Sequence, residues 1–137
     1  MSHTCKATLV RCMDFRLEPE LTDSLRSKNL LHAIDVISIA GAAKNIVDDP
    51  KGFVMNQIGL SVQLHGITEV SLMHHSDCGA YGGSKAFASL EEEKVMHVTQ
   101  MQKAKEVILT SYPLLTIKMF FAVIGENQHV NSIEEVG

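Results

Sequence analysis

Apolar residues fall into short blocks separated by stretches with a longer, helical rhythm. Ala7 to Val10 is a compact apolar run closed by Arg11-Cys12, which predicts a buried strand. Pro19-Glu20 suits the first turn of a helix ending near Ser27. Asp35 to Ala40 is rich in β-branched residues and predicts a second strand, followed by a Gly-Ala-Ala turn and a polar loop. Asp49-Pro50 has the form of an N-cap with proline at the first helical position, and Val54, Ile58 and Val62 recur on one face until Gly66 supplies a stop. Val70 to Met73 predicts a third strand. Ser89 and Glu92 have capping-box spacing, and they open a helix whose apolar side takes in Val95, Val98, Met101 and Ile108 before Pro113 closes it. Ile117 to Ile124 is nearly all apolar and predicts a fourth strand, buried on both faces. The tail beyond Gly125 reads equally as a short edge strand or a loop.

Strands alternating with helices predict an α/β fold: one domain over 1–137, with a mostly parallel sheet of four to five strands and helices on both faces. Right-handed crossovers favour the order 2-1-3-4. That order reverses direction between strands 1 and 3, where ligand sites form beyond the carboxyl ends of the strands.

Composition narrows the classes. The 137 residues, 45% of them hydrophobic, suffice for one real core. No apolar run reaches the roughly 18–20 residues that span a membrane. A net charge of -4 without a Lys/Arg cluster argues against a nucleic-acid surface. Three cysteines make no disulfide framework, so a reducing, cytoplasmic setting and metal or structural roles are expected.

Two stretches carry the chemistry. Cys12-Met13-Asp14-Phe15-Arg16 ends strand 1, and His74-His75-Ser76-Asp77-Cys78-Gly79 follows strand 3. Adjacent strands lie about 4.8 Å apart, within reach of one metal ion. Cys12, His75 and Cys78 then supply two thiolates and an imidazole, a set that zinc prefers. Gly79 is read as the tight turn after Cys78, with backbone N–H groups there bonding the sulfur. Two roles are open to Asp14. It either closes the site as a fourth ligand, or pairs with Arg16 and leaves the fourth position to water, whose pKa zinc lowers to about 7. A plain structural ion pair is the simpler reading of Asp14 and Arg16.

The pair Cys-x-Asp-x-Arg and His-x-x-Cys, in this order and on matching strands, resembles the β-class carbonic anhydrases. Asn45-Ile46-Val47-Asp48-Asp49 looks like the short archaeal-type members. The resemblance spans roughly residues 7 to 125. It implies zinc, reversible hydration of CO2 to bicarbonate by a zinc-bound hydroxide, catalytic roles for Asp14 and Arg16, and a homodimer or higher homo-oligomer. The same scaffold hosts hydrolases of carbon disulfide and carbonyl sulfide, and a non-catalytic zinc protein closed by Asp14 is the third reading. The chain departs from the family pattern in three places. Ser38-Ile39 precedes Ala40-Gly41 where a polar residue and Asn are usual. Only six residues stand where a dimer-clasping helical arm precedes strand 1. No obvious hairpin follows strand 4.

The remaining candidates read more plainly. His74 is expected to pack or support rather than ligate, pointing away from His75. Cys5 is expected to be inert, and Asp77 to cap a turn. His3, His32, His65, His97 and His129 carry no spacing signal and are expected at the surface. Gly79-Ala80-Tyr81-Gly82-Gly83 lacks the Lys-Ser/Thr of a phosphate loop.

Overall fold

The sheet follows from where the apolar blocks fall. In the computed structural model, which describes residues 3–137, the strands are β1 (Ala7–Arg11), β2 (Ile34–Ser38), β3 (Glu69–His75), β4 (Thr116–Ile124) and β5 (Val130–Val136). They form one sheet in the order β2-β1-β3-β4-β5, with the first four parallel and β5 antiparallel to β4. The α/β reading and the strand order hold. Of the two readings left open for the tail, the edge strand is the one found, and it forms a β4–β5 hairpin that the sequence did not make obvious.

Among the described residues four α-helices cover the sheet: α1 (Glu20–Ser27), α2 (Lys44–Val47), α3 (Phe53–His65) and α4 (Leu90–Ser111). Successive strand residues face opposite sides, as the pleat requires. Val10 and Leu72 enter one core with Ile46 of α2, Val54 and Ile58 of α3, and Met101 and Ile108 of α4. Their neighbours Leu9 and Met73 enter the second core with Leu17 and with Leu21 of α1.

Some boundaries differ from expectation for local reasons. β2 ends at Ser38, because Ile39 to Gly41 already turn. The polar loop contains α2, a single turn anchored by fully buried Ile46. Helix α3 starts at Phe53 with Gly52 as its N-cap, three residues later than Asp49-Pro50 suggested. It ends as expected at Gly66, whose φ of 60° suits a residue without Cβ. On α4, Ser89 caps Glu92 N–H at 3.1 Å, but Val95 is 56% exposed. The buried face runs instead through Glu93, His97, Met101, Ala104 and Ile108. Two polar residues therefore occupy core positions, and a reading by hydrophobicity alone rotates the helix. No helix is long and apolar enough to cross a membrane among the described residues.

Leu72 is fully buried in the central strand, whereas Leu114 is 96% exposed. Leu72→Ala is expected to destabilise folding by about 3 kcal/mol through lost burial and a residual cavity. Leu114→Ala should stay within about 0.5 kcal/mol. Denaturant midpoints of the two variants check both values.

Candidate metal centre

Parallel pairing of β1 with β3 sets Arg11 beside Met73, so the chain leaves β1 where β3 runs on for two more residues to His75. Cys12 follows β1, and His75 is the last residue of β3. A short loop then returns Cys78 to the same spot. The ligating atoms of Cys12, His75 and Cys78 lie within 4.8 Å of one another, and all three residues are buried.

The loop's curvature does not come from Gly79, where an added Cβ would meet nothing within 4 Å. Asp77 takes the left-handed conformation at φ 57°, and Gly82 and Gly83 follow at 89° and 75°. Those three positions make the turn.

The tautomer of His75 is set locally. Its Nδ1 lies 2.7 Å from the Ser76 carbonyl oxygen, which only accepts, so Nδ1 carries the proton. Nε2 then turns a lone pair toward the two sulfurs. It is buried with no hydrogen-bond partner among the described residues, in a side chain 1% exposed. A backbone-oriented imidazole with an orphaned inward nitrogen, beside two thiols, is the arrangement of a zinc-binding donor set. The residues present therefore fit the metal.

The two sulfurs act on one another's protonation in opposite directions. The Cys78 thiol, then the His75 ring and the Gly41 and Asp14 N–H groups, hold the Cys12 sulfur below its ordinary range, against the opposing effect of burial. The bond to Cys12 and burial push the Cys78 thiol up, while the Ala80 and Tyr81 N–H groups temper it. Burial disfavours charge on His75, but Cys12 outweighs it and raises the imidazole.

Asp14 stands next to this cluster and is engaged elsewhere. Arg16 grips it in a two-pronged pair, Nε to Oδ1 at 3.0 Å and Nη2 to Oδ2 at 2.8 Å, and the Arg16 N–H adds a bond at 2.8 Å. Asp14 Oδ2 lies 3.8 Å from His75 Nε2. The Arg16 hydrogen bonds hold the carboxyl below the usual carboxylate range despite partial burial. Arg16 also reaches Asp77, with Nη1 donating to Oδ2 at 2.9 Å and Nη2 to the carbonyl at 3.0 Å. One guanidinium thus ties the two signature stretches together.

Sequence reading missed the groups behind the cluster. Glu93, in the first turn of α4, is buried. It accepts the Asp77 N–H at 2.7 Å and the Ser84 hydroxyl at 2.8 Å, clamping both ends of the loop. His97, expected at the surface, is fully buried. His65 is half-buried, whereas His3, His32 and His129 are exposed as expected. His74 Nε2 accepts the Ala43 N–H at 3.1 Å, so its Nδ1 carries the proton and donates to His97 Nδ1 at 2.8 Å. The chain from α4 through His74 thus holds the turn whose Gly41 N–H faces Cys12. The i,i+4 spacing of Glu93 and His97 is the one sequence signal that could have found them.

Burial, with the His75 charge adding to it, lowers His97 from its ordinary 6.5 to about 4. Folded His97 stays neutral while the unfolded chain takes up a proton below about 6.5. Stability should therefore fall as pH drops from about 6.5 to 4. His97→Gln keeps an acceptor for His74 but cannot titrate. It should flatten that slope by about one proton, as read from denaturation at several pH values.

Comparison with known proteins accords with this geometry. An uncharacterized protein of Rickettsia conorii is 27% identical over 135 residues, covering 93% of this chain and 72% of its own. An uncharacterized protein of Rickettsia bellii is 26% identical over 119 residues, covering 82% and 73%. The crystal structure of β-carbonic anhydrase isoform I from Trichomonas vaginalis shares the fold, with a TM-score of 0.65 at 14% identity over 98% of this chain and 83% of that one. Residues 2–134 match one family along nearly the whole chain, and the protein therefore belongs to the family described as "Putative carbonic anhydrase".

Proposed function

We propose that the protein is a zinc-dependent carbonic anhydrase that interconverts CO2 and water with bicarbonate and a proton. One observation carries the reading. Cys12, His75 and Cys78 converge with an orphaned Nε2 between them, while Arg16 holds the neighbouring carboxylate away. When bound there, zinc supplies a Lewis acid that brings the pKa of a water to about 7 and so provides a nucleophile for CO2.

The chain's own residues divide the remaining work. The two sulfurs offset the charge of a dication, and the Gly41, Ala80 and Tyr81 N–H groups keep them from becoming too basic. The Ser76 carbonyl holds the His75 ring at one angle. Arg16 keeps Asp14 ionised and turned from the sulfurs. Asp14 Oδ2 would accept a hydrogen bond from the reacting water and, held ionised by Arg16, would pass the proton on to bulk water rather than keep it.

We further propose a homodimer as the working unit. Met13 and Phe15, on either side of Asp14, are 64% and 83% exposed, so apolar surface flanks the site itself. Sedimentation at micromolar concentration is expected to give a dimer, and a stable, active monomer would overturn this.

Stopped-flow CO2 hydration by the zinc-loaded protein, with carbon disulfide run in parallel, tests the function. Turnover of CO2 should rise with pH through ~7. Cys78→Ser should lose most of its zinc. Arg16→Ala should keep zinc and lose at least about 100-fold in rate, because a freed Asp14 lies close enough to His75 Nε2 to block the site. Asp14→Asn should also keep zinc but suffer in proton handling. Normal turnover in Arg16→Ala would refute the gating role, and hydrolysis of carbon disulfide without CO2 hydration would replace the substrate.

A further inference from the structure

A second mixed donor cluster sits at the opposite end of β1. Cys5 precedes β1, Asp35 lies on β2, and His65 is the last residue of α3. Their sulfur, carboxylate and imidazole ligand atoms lie within 4.8 Å of one another, and each side chain is half-buried. None of the three serves the centre described above.

The backbone holds this cluster in place. The Cys5 N–H donates to the His65 carbonyl at 3.1 Å, pinning the segment before β1 to the end of α3. Gly66 ends the helix in the left-handed region directly after His65. Asp35 Oδ2 accepts from the Ser61 hydroxyl at 2.6 Å and lies 2.6 Å from His65 Nδ1. The Ser61 hydroxyl in turn meets Thr8 on β1. Cys5 is loosely held, its thiol 3.7 Å from the Ala7 carbonyl oxygen. The His3 ring lies against His65 with centroids 4.8 Å apart, adding an imidazole at the rim.

We propose that Cys5, Asp35 and His65 form a second metal site, selective for a zinc-class divalent transition cation. The donor chemistry is what such an ion takes, one sulfur, one oxygen and one nitrogen. One thiolate and one carboxylate carry two negative charges, which a dication neutralises. Ligand atoms on one tetrahedral zinc stand about 3.3–3.7 Å apart. The cluster reaches that by shifts on the order of 1 Å, with His65 opening slightly from Asp35 and Cys5 closing in. Binding releases the Cys5 thiol proton, and the His65 Nδ1 proton where that nitrogen carries it. The Ser61 bond remains on the carboxylate and keeps it aimed.

Equilibrium dialysis of the full chain against zinc, with metal measured by elemental analysis, tests the site. The unaltered protein is expected to hold about two zinc ions per chain at saturation, and Cys5→Ser and His65→Gln about one each. The cobalt-loaded Cys5→Ser protein should keep the thiolate-to-cobalt absorption of Cys12 and Cys78. Equal zinc uptake by the unaltered protein and Cys5→Ser overturns the proposal. If the Cys12 centre itself took no metal, the unaltered protein would hold about one ion that vanishes in Cys5→Ser. The two assignments therefore fail separately. His65→Gln leaves the sulfur intact, so parallel loss in both variants excludes a simple defect at the amino terminus.

Discussion

The parallel register of β1 against β3 is the constraint on which the site rests. Pairing Arg11 with Met73 fixes the height at which each chain leaves the sheet, and hence where Cys12 and His75 can meet. A slip of one residue would turn every side chain of β1 to the other face. Leu9 and Val10 would exchange cores, and the Cys12 sulfur would point away from His75. The two cores therefore lock the register more firmly than any contact within the cluster could. The candidate centre is assembled by hydrophobic packing some residues upstream of it.

Behind the cluster, the fold accepts buried polar groups where apolar ones would pack more simply. Glu93, His74 and His97 all lie at or near zero exposure, and burying such groups without partners costs several kcal/mol each. Most of that cost is offset by specific bonds to the Asp77 N–H, the Ser84 hydroxyl and the Ala43 N–H. These partners belong to the loop after β3 that carries Cys78 and to the turn after β2 whose Gly41 N–H faces Cys12. Helix α4 is thus apolar toward its carboxyl end, where it builds core, and polar toward its amino end, where it positions loops.

The convergence of Cys12, His75 and Cys78 was legible because all three lie at or just beyond the ends of recognisable strands, and the pairing of Asp14 with Arg16 because they are two residues apart. The strand order followed from alternation and crossover handedness. What escaped was anything defined by contacts between distant segments. The polar residues of α4 look solvent-facing in a helical count, since nothing local distinguishes a carboxylate facing water from one facing a loop backbone. Cys5 looked inert and His65 a surface residue for the same reason: 59 positions lie between them, and only the folded end of α3 brings them together. Helix α2 is a single turn, too short for a periodic signal.

Cys5 and Cys12 stand at the two ends of one five-residue strand. At about 3.3 Å per residue, the seven steps from Cys5 to Cys12 make about 23 Å of backbone, and a Coulomb interaction falls off with distance. Between them lie Leu9 and Val10, buried in the two cores. The strand behaves as a spacer, and its length does the separating. A change of charge at one end is felt only faintly at the other, so the two clusters can vary independently without retuning one another.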